Sequence, residues 1–359
     1  MISEVSSSHA VGQMSSLPTR HLPFRNSVHL SQEEAYDLMR RMLSGEMSTG
    51  EIADVLNFLR RKGETIAELV GFANALRDLS KPLDLDQSEE PLLDTCGTGG
   101  DNACTFNIST TAAFVVAGAG LRVAKHGNRK ISSQCGSSDL LEQLGVPIHL
   151  SSEQVADCIR QAGIGFLYAP LLHPAVKHAQ EARLLLKGRT AFNLLGPLTN
   201  PVRARMQLMG AFSVRAAEML AQAASRLGIG RAFVVHGADG LDEITTTTHT
   251  TVFQVEDGSV QKGRWTPADF GVEPASLEDL KGDGPEANAA TFHAILHGEH
   301  GPKRDIVVAN AAAALLLTRR YEDLKSAVTA ANESIDSGAA QRKFEALKEF
   351  TQGLSHESV

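Results

Sequence analysis

The chain is predicted to be an α/β protein with a small N-terminal helical domain. A larger domain follows, with a mainly parallel central sheet flanked by helices. Three observations carry this. Residues 31–76 hold three amphipathic segments in succession, each opened by a hydroxyl residue with a glutamate three positions on. After Pro91, short apolar runs alternate with helical stripes, the pattern of parallel strands joined by right-handed crossovers. Polar clusters containing glycine follow three of those runs, at the carboxyl ends of strands, where such sheets hold ligands.

Taken in order, Ser31 and Glu34 box the first helix, with Ala35, Leu38, Met39, Met42 and Leu43 on one stripe and Gly45 as its stop. Ser48 and Glu51 open the second, striped by Ile52, Val55, Leu56 and Leu59 and ended by Gly63. Thr65 and Glu68 open the third, carrying Ile66, Leu69, Val70, Ala73 and Leu76. "SKPLDLDQSEEP" then reads as a linker. "LLDTC" is expected as a strand, "STTAAFVVAGAG" as a buried helix and "LRVAKHG" as a strand. "SSDLLEQLG" and "SEQVADCIRQAG" follow as helices and "IGFLYAP" as a strand. The alternation continues through "RMQLMGAF", "VRAAEMLAQAASRLG" and "RAFVVHG".

The 359 residues suffice for one large domain or two smaller ones, and 42% hydrophobic with 21% charged residues is ordinary soluble composition. A formal net charge of −8 argues against a nucleic-acid or anionic-membrane binder, yet leaves room for a local phosphate pocket. The longest apolar run, "AAFVVAGAGL", is far short of a membrane span. Cys96, Cys104, Cys135 and Cys158 form no C-x-x-C pair and no metal-ligand spacing, which suits reduced thiols in the cytoplasm. The Ser-rich, aperiodic residues 1–27 read as a disordered tail, with a transit peptide as the alternative.

The chemistry concentrates in a few loops. "DTCGTGGDNACTFNIST" lacks the third glycine of a dinucleotide fingerprint, having Asn102 there, and lacks the Gly-Lys-Ser/Thr of a P-loop. Gly97, Gly99 and Gly100 nevertheless suit a loop that offers backbone N–H groups to phosphate, and Asp101 either orients the loop or accepts from hydroxyls. Asn107, Ser109 and Thr110 either cap the following helix or bind phosphate oxygens, Ser109 alternatively a metal. "KHGNR" supplies Lys125 as a point charge, with His126 and Asn128 as hydrogen-bonding groups. "GSSD" opens a helix whose Ser137 or Ser138 is either an N-cap or an anion donor. Asp242 and Glu243 in "GLDE" are either a surface acid pair or a magnesium platform. Arg183 and Arg189, in a largely apolar stretch, read either as carboxylate-binding groups or as members of ordinary ion pairs.

Together, "GTGGD…TFNIST", "KHGNR", "GSSDLLEQLG", "RTAFNLLGPLTNP" and "HGADGLDEI" resemble the anthranilate phosphoribosyltransferase family of the tryptophan pathway, from about Leu30 to about Leu347. The resemblance implies a homodimer that transfers phosphoribose from phosphoribosyl diphosphate to the amine of anthranilate. The products would be N-(5-phosphoribosyl)anthranilate and diphosphate, and each site would hold two Mg²⁺ ions. Carried over, Gly97, Gly100, Asp101, Thr105, Asn107, Ile108, Ser109, Thr110, Lys125 and Ser137 would bind the donor. Gly97, His126, Asn128 and Arg183 would contact anthranilate, and Ser109, Asp242 and Glu243 would hold metal, with no residue acting as nucleophile or base. The helical domain would comprise residues 28–82 plus about 171–192, and the α/β domain 91–170 and 193–359. Gln134 and Cys135 stand where the family commonly has lysine and serine, and Asn102 and Cys104 where small residues or glycine are usual. A pyrimidine-nucleoside phosphorylase relative is one alternative, disfavoured by the "GTGGD…NIST" order and the "LDE" pair. A nucleic-acid-binding relative of the same fold is the other, disfavoured by the net charge. Neither nucleic acid nor membrane is an expected partner.

Overall fold

The computed structural model describes residues 29–88, 90–101, 103–129 and 135–356. The N-terminal tail, Asn102 and Gln134 lie outside the described residues. Capping boxes at Ser31/Glu34, Ser48/Glu51 and Thr65/Glu68 start α1 (Gln32–Ser44), α2 (Thr49–Lys62) and α3 (Ile66–Asp78). Each box satisfies two N–H groups that a helix start leaves orphaned. The expected stripes of α1 and α2 are wholly buried. Gly71 lets α1 and α3 cross closely, since a Cβ there would lie 2.8 Å from that of Ala35. Glu68 is buried but satisfied, bridging to Lys62 Nζ at 2.6 Å and accepting from the Leu30 N–H at 2.9 Å.

The sheet runs β3-β2-β1-β4-β5-β6-β7. Its strands are β1 (Leu93–Gly97), β2 (Val123–Gly127), β3 (Ile164–Tyr168), β4 (Met206–Gly210), β5 (Arg231–Gly237), β6 (Thr250–Glu256) and β7 (Ser259–Trp265). The first five in spatial order are parallel, as the alternation of strands and helices requires. The antiparallel β6–β7 hairpin is an addition to the expected order. It turns on Asp257 (φ 48°) and Gly258 (φ 78°), the paired left-handed residues that match a two-residue turn to strand twist.

Helices cover both faces: α4 (Ile108–Gly118), α5 (Ser137–Gln143), α6 (Ser152–Ala162), α7 (Ala169–Leu172), α8 (Lys177–Leu186), α9 (Ala191–Leu195) and α10 (Val214–Arg226), then α11 (Gly284–Leu296), α12 (Pro302–Leu316), α13 (Leu324–Asp336) and α14 (Ala339–His356). Strand alternation divides the apolar side chains between two cores. Leu208, Phe233, Val235 and Val252 pack with α4, α12 and α14. Met209, Val234, Phe253 and Val255 share the other core with α10 and with the first three helices. α8 packs on α1 and α2, burying Ala179 and Ala182. Among the described residues, no helix is long and apolar enough to cross a membrane.

Candidate active site

Strands β1, β2, β4 and β5 all end in glycine: Gly97, Gly127, Gly210 and Gly237. Close crossings explain two of them. The segment after β5 folds back, with the Gly237 N–H on the Leu241 carbonyl at 2.9 Å, and carries Asp242 over the ends of β1 and β4. A Cβ at Gly97 would stand 2.5 Å from Asp242 Oδ2, and one at Gly210 would overlap the Asp242 carbonyl oxygen. Gly99 (φ 64°) donates its N–H to Asp242 Oδ2 at 2.8 Å. The acid doublet therefore lies directly on the glycine loop.

Two clusters meet there. In the first, Asp101 lies beside Asp242, and burial followed by that repulsion raises the Asp242 carboxyl to about 7. In the second, Glu243 accepts from the Ser109 N–H, while Lys125 Nζ reaches Ser109 Oγ at 3.3 Å and donates to the Thr95 carbonyl. Burial and then Asp242 push Glu243 up to about 8, with Lys125 opposing. Burial lowers Lys125 itself, against Asp94, Cys96 and Glu243. Three crowded carboxylates next to one buried ammonium make a region short of positive charge, which fits a divalent cation. Among the described residues no three His, Cys, Asp or Glu side chains form a complete cage. A Mg²⁺ ion here would take only one or two of these carboxylates and complete its shell with water and phosphate oxygens.

The remaining expected residues are placed variously. Asn107 precedes α4 without a side-chain cap; its Nδ2 donates to the Cys135 carbonyl at 3.0 Å and its Oδ1 accepts from Asn288 at 2.9 Å. It thus ties the glycine loop to α11 and to the segment before α5. Ile108 and Thr110 are both buried in the first turn of α4. Thr105 pairs with Lys281 in an isolated bridge. Ser137 Oγ donates to the Asn128 carbonyl at 3.2 Å, and Asn128 Oδ1 accepts from the Arg129 N–H at 2.7 Å on an exposed strand end. Arg183 stacks on Phe192, 4.8 Å from the ring centroid, and burial lowers its pKa. It makes no ion pair among the described residues. Cys104 adopts φ 55°, a left-handed conformation that favours glycine, and Cys135 is buried.

Sequence reasoning missed Asp94. Fully buried in β1, it accepts from the His126 N–H at 3.0 Å and from Asn200 Nδ2 at 2.8 Å, fixing the backbone of "KHGNR" from beneath. His126 is buried too: Nδ1 lies 3.3 Å from the Gly196 carbonyl, and Nε2 has no partner among the described residues. Its ring centroid is 5.2 Å from that of His173. Burial holds His126 down at about 4 and His173 at about 3, so both are neutral at physiological pH. Because these values lie below the ordinary histidine range, the unfolded chain takes up protons first as pH falls below about 6.5. Stability should then decline by about 1.4 kcal/mol per pH unit for each ring until the folded values are reached. His173→Gln should flatten the slope of denaturation midpoint against pH between about 6 and about 4; a slope equal to that of the parent chain would contradict the assignment.

A mainly parallel sheet with a glycine loop, a buried lysine and an acid doublet at its carboxyl ends is an arrangement in which α/β enzymes hold phosphate-bearing ligands. Residues 89–341 match "Glycosyl transferase family, a/b domain" and residues 24–80 "Glycosyl transferase family, helical bundle domain". The anthranilate phosphoribosyltransferase of Solibacter usitatus is 52% identical over 322 residues, covering 90% of this chain and 95% of that protein. Among solved structures, that of Thermus thermophilus superposes with TM-score 0.85 at 42% identity, over 90% of this chain and 96% of its own. The Saccharomyces cerevisiae protein in complex with PRPP and Mg gives 0.83 at 29% identity, over 90% and 94%. The same yeast protein in complex with 4-fluoroanthranilate gives 0.81 at 28%, over 90% and 94%. The chain belongs to the anthranilate phosphoribosyltransferase family.

Proposed function

We propose that the chain transfers phosphoribose from 5-phosphoribosyl 1-diphosphate to anthranilate, giving N-(5-phosphoribosyl)anthranilate and diphosphate in L-tryptophan biosynthesis. The observation that carries this is the acid doublet seated on the glycine loop beside Ser109 and Lys125. The donor is assigned to Gly97, Gly100, Asp101, Thr105, Asn107, Ile108, Ser109, Thr110, Lys125 and Ser137, and anthranilate to Gly97, His126, Asn128 and Arg183. Ser109, Asp242 and Glu243 are assigned as holders of magnesium, two ions per site. When bound, the metal supplies positive charge next to the departing diphosphate.

The acceptor is a weak aromatic amine, so displacement at the anomeric carbon should have oxocarbenium character, with charge accumulating on the leaving group. The chain's task is then electrostatic stabilisation and placement, without a nucleophile. Loop N–H groups and Lys125 receive the diphosphate. His126, neutral through burial, offers an uncharged ring near the amine, and Arg183 takes the carboxylate of anthranilate.

The remaining assignments are a homodimer, a cytoplasmic location, and a helical domain of residues 28–82 with about 171–192 against an α/β domain of 91–170 with 193–359. The packing of α8 on α1 and α2 supports the division.

Anthranilate fluorescence should fall when phosphoribosyl diphosphate, Mg²⁺ and protein are mixed; unchanged emission at saturating substrates would defeat the reading. Arg183→Ala should raise the anthranilate KM by about tenfold or more and the donor KM far less. Equal increases would remove Arg183 from its role.

A further inference from the structure

Arg189 has no part in the mechanism above, yet it touches the glycine loop. It follows a bend in which Lys187 (φ 42°) and Gly188 (φ 140°) are both left-handed, directly after α8. It precedes Thr190, whose N–H donates to Asn193 Oδ1 at 3.0 Å at the start of α9. Its backbone is thus held on both sides. The guanidinium lies over the Phe212 ring, 4.2 Å from the centroid, and donates through Nη2 to the Gly100 carbonyl. Gly100 (φ 80°) has room for this because it lacks a side chain: a Cβ there would stand 3.1 Å from Arg189 Nε.

Phe212 is tied to the same loop. Its N–H donates to Thr98 Oγ1 at 3.1 Å, and the Thr98 N–H donates to the Gly210 carbonyl at 2.9 Å. The next residue, Gly99, holds Asp242. A continuous path therefore leads from the end of α8, which carries Arg183, through Arg189 and Phe212 to the glycine loop and the acid doublet.

We propose that Arg189 is a positioning residue that latches the glycine loop to the segment carrying Arg183, setting the loop's N–H groups before the diphosphate donor arrives. A loop with successive left-handed glycines at Gly99 and Gly100 samples many backbone states unless something selects one. In a trans peptide the carbonyl and the following N–H point opposite ways. Anchoring the Gly100 carbonyl on Arg189 therefore turns the Asp101 N–H to the side away from the guanidinium. The latch rests on the phosphoribosyl-transfer reading for its consequence, and on the contacts of Arg189 for its existence.

The test uses the full chain with Arg189→Met, Arg189→Lys, Phe212→Leu and the Arg189→Met/Phe212→Leu double variant. Arg189 is exposed, so the variants should fold with thermal midpoints near that of the parent. In Arg189→Met, amide hydrogen exchange of the peptide spanning residues 97–101 should quicken about tenfold without any ligand. The KM for phosphoribosyl diphosphate should rise about tenfold while that for anthranilate stays within about twofold. Arg189→Lys should recover part of the donor KM, and the double variant should be no worse than Arg189→Met alone. Unchanged exchange, or equal rises in both KM values, would overturn the latch. A parent chain that transfers no phosphoribose would overturn the functional reading instead, and the exchange comparison would still decide the latch.

Discussion

Replacing both site carboxylates, Asp242→Asn with Glu243→Gln, is expected to lower turnover on the order of 10³-fold or more at saturating magnesium. The fold should survive. An amide in place of the Asp242 carboxylate keeps an oxygen that can accept the Gly99 N–H, the contact that seats the loop. The same change should make the metal-free protein more stable at alkaline pH. In the parent, burial raises both carboxyls above the ordinary carboxylate range, helped at Asp242 by Asp101 and at Glu243 by Asp242. A folded value above the unfolded one means that ionisation opposes folding. The cost is absent below the unfolded value and grows as pH rises through the folded values. The metal-free parent should therefore lose thermal stability between about pH 4 and about pH 8, and the double amide should lose less. Near-parental turnover with excess Mg²⁺ would remove the pair from the chemistry.

Gly210→Ala is the second large effect. Gly210 ends β4 with Asp242 passing over it, so closely that a Cβ would overlap the Asp242 carbonyl oxygen. Backbone on both sides leaves no flexible chain end to yield. The Asp242 segment must move, with loss of its bond to the Gly99 N–H and of its place against Gly97. Expected are turnover below about one hundredth of the parent and destabilisation of about 3 kcal/mol. Gly50→Ala is the control: Gly50 lies in α2 with nothing within 4 Å of an added Cβ. It should gain about 0.5–1 kcal/mol. Parental kinetics in Gly210→Ala would mean that the crossing is not required for activity.

Local rules made much of the fold legible. Capping boxes and stripes mark α1 to α3 because those signals lie within one helical turn. The alternation after Pro91 gives the parallel strands because apolar runs bounded by turns leave few topologies. The β6–β7 hairpin escaped notice because β7, "SVQKGRW", is mostly exposed and shows little apolar alternation; only the Asp257-Gly258 pair announced it. In the site, residue types were readable but partnerships were not. Gly99 and Asp242 are 143 positions apart, and Asp94 meets Asn200 across 106. A buried aspartate inside "LLDTC" looks like any polar strand residue until its partners arrive from elsewhere in the chain. The contacts of Arg189 with the Gly100 carbonyl and the Phe212 ring could not be read locally, because both partners lie elsewhere in the chain. The glycines that close β1 and β4 make room for the Asp242 segment, which arrives from far along the chain.

The side chains of α1 to α3 and one face of β4 to β6 belong to a single apolar core. An amputated N-terminal bundle would therefore leave an oily wound on the sheet as well as on itself. Separating the two lobes would expose apolar surface on both.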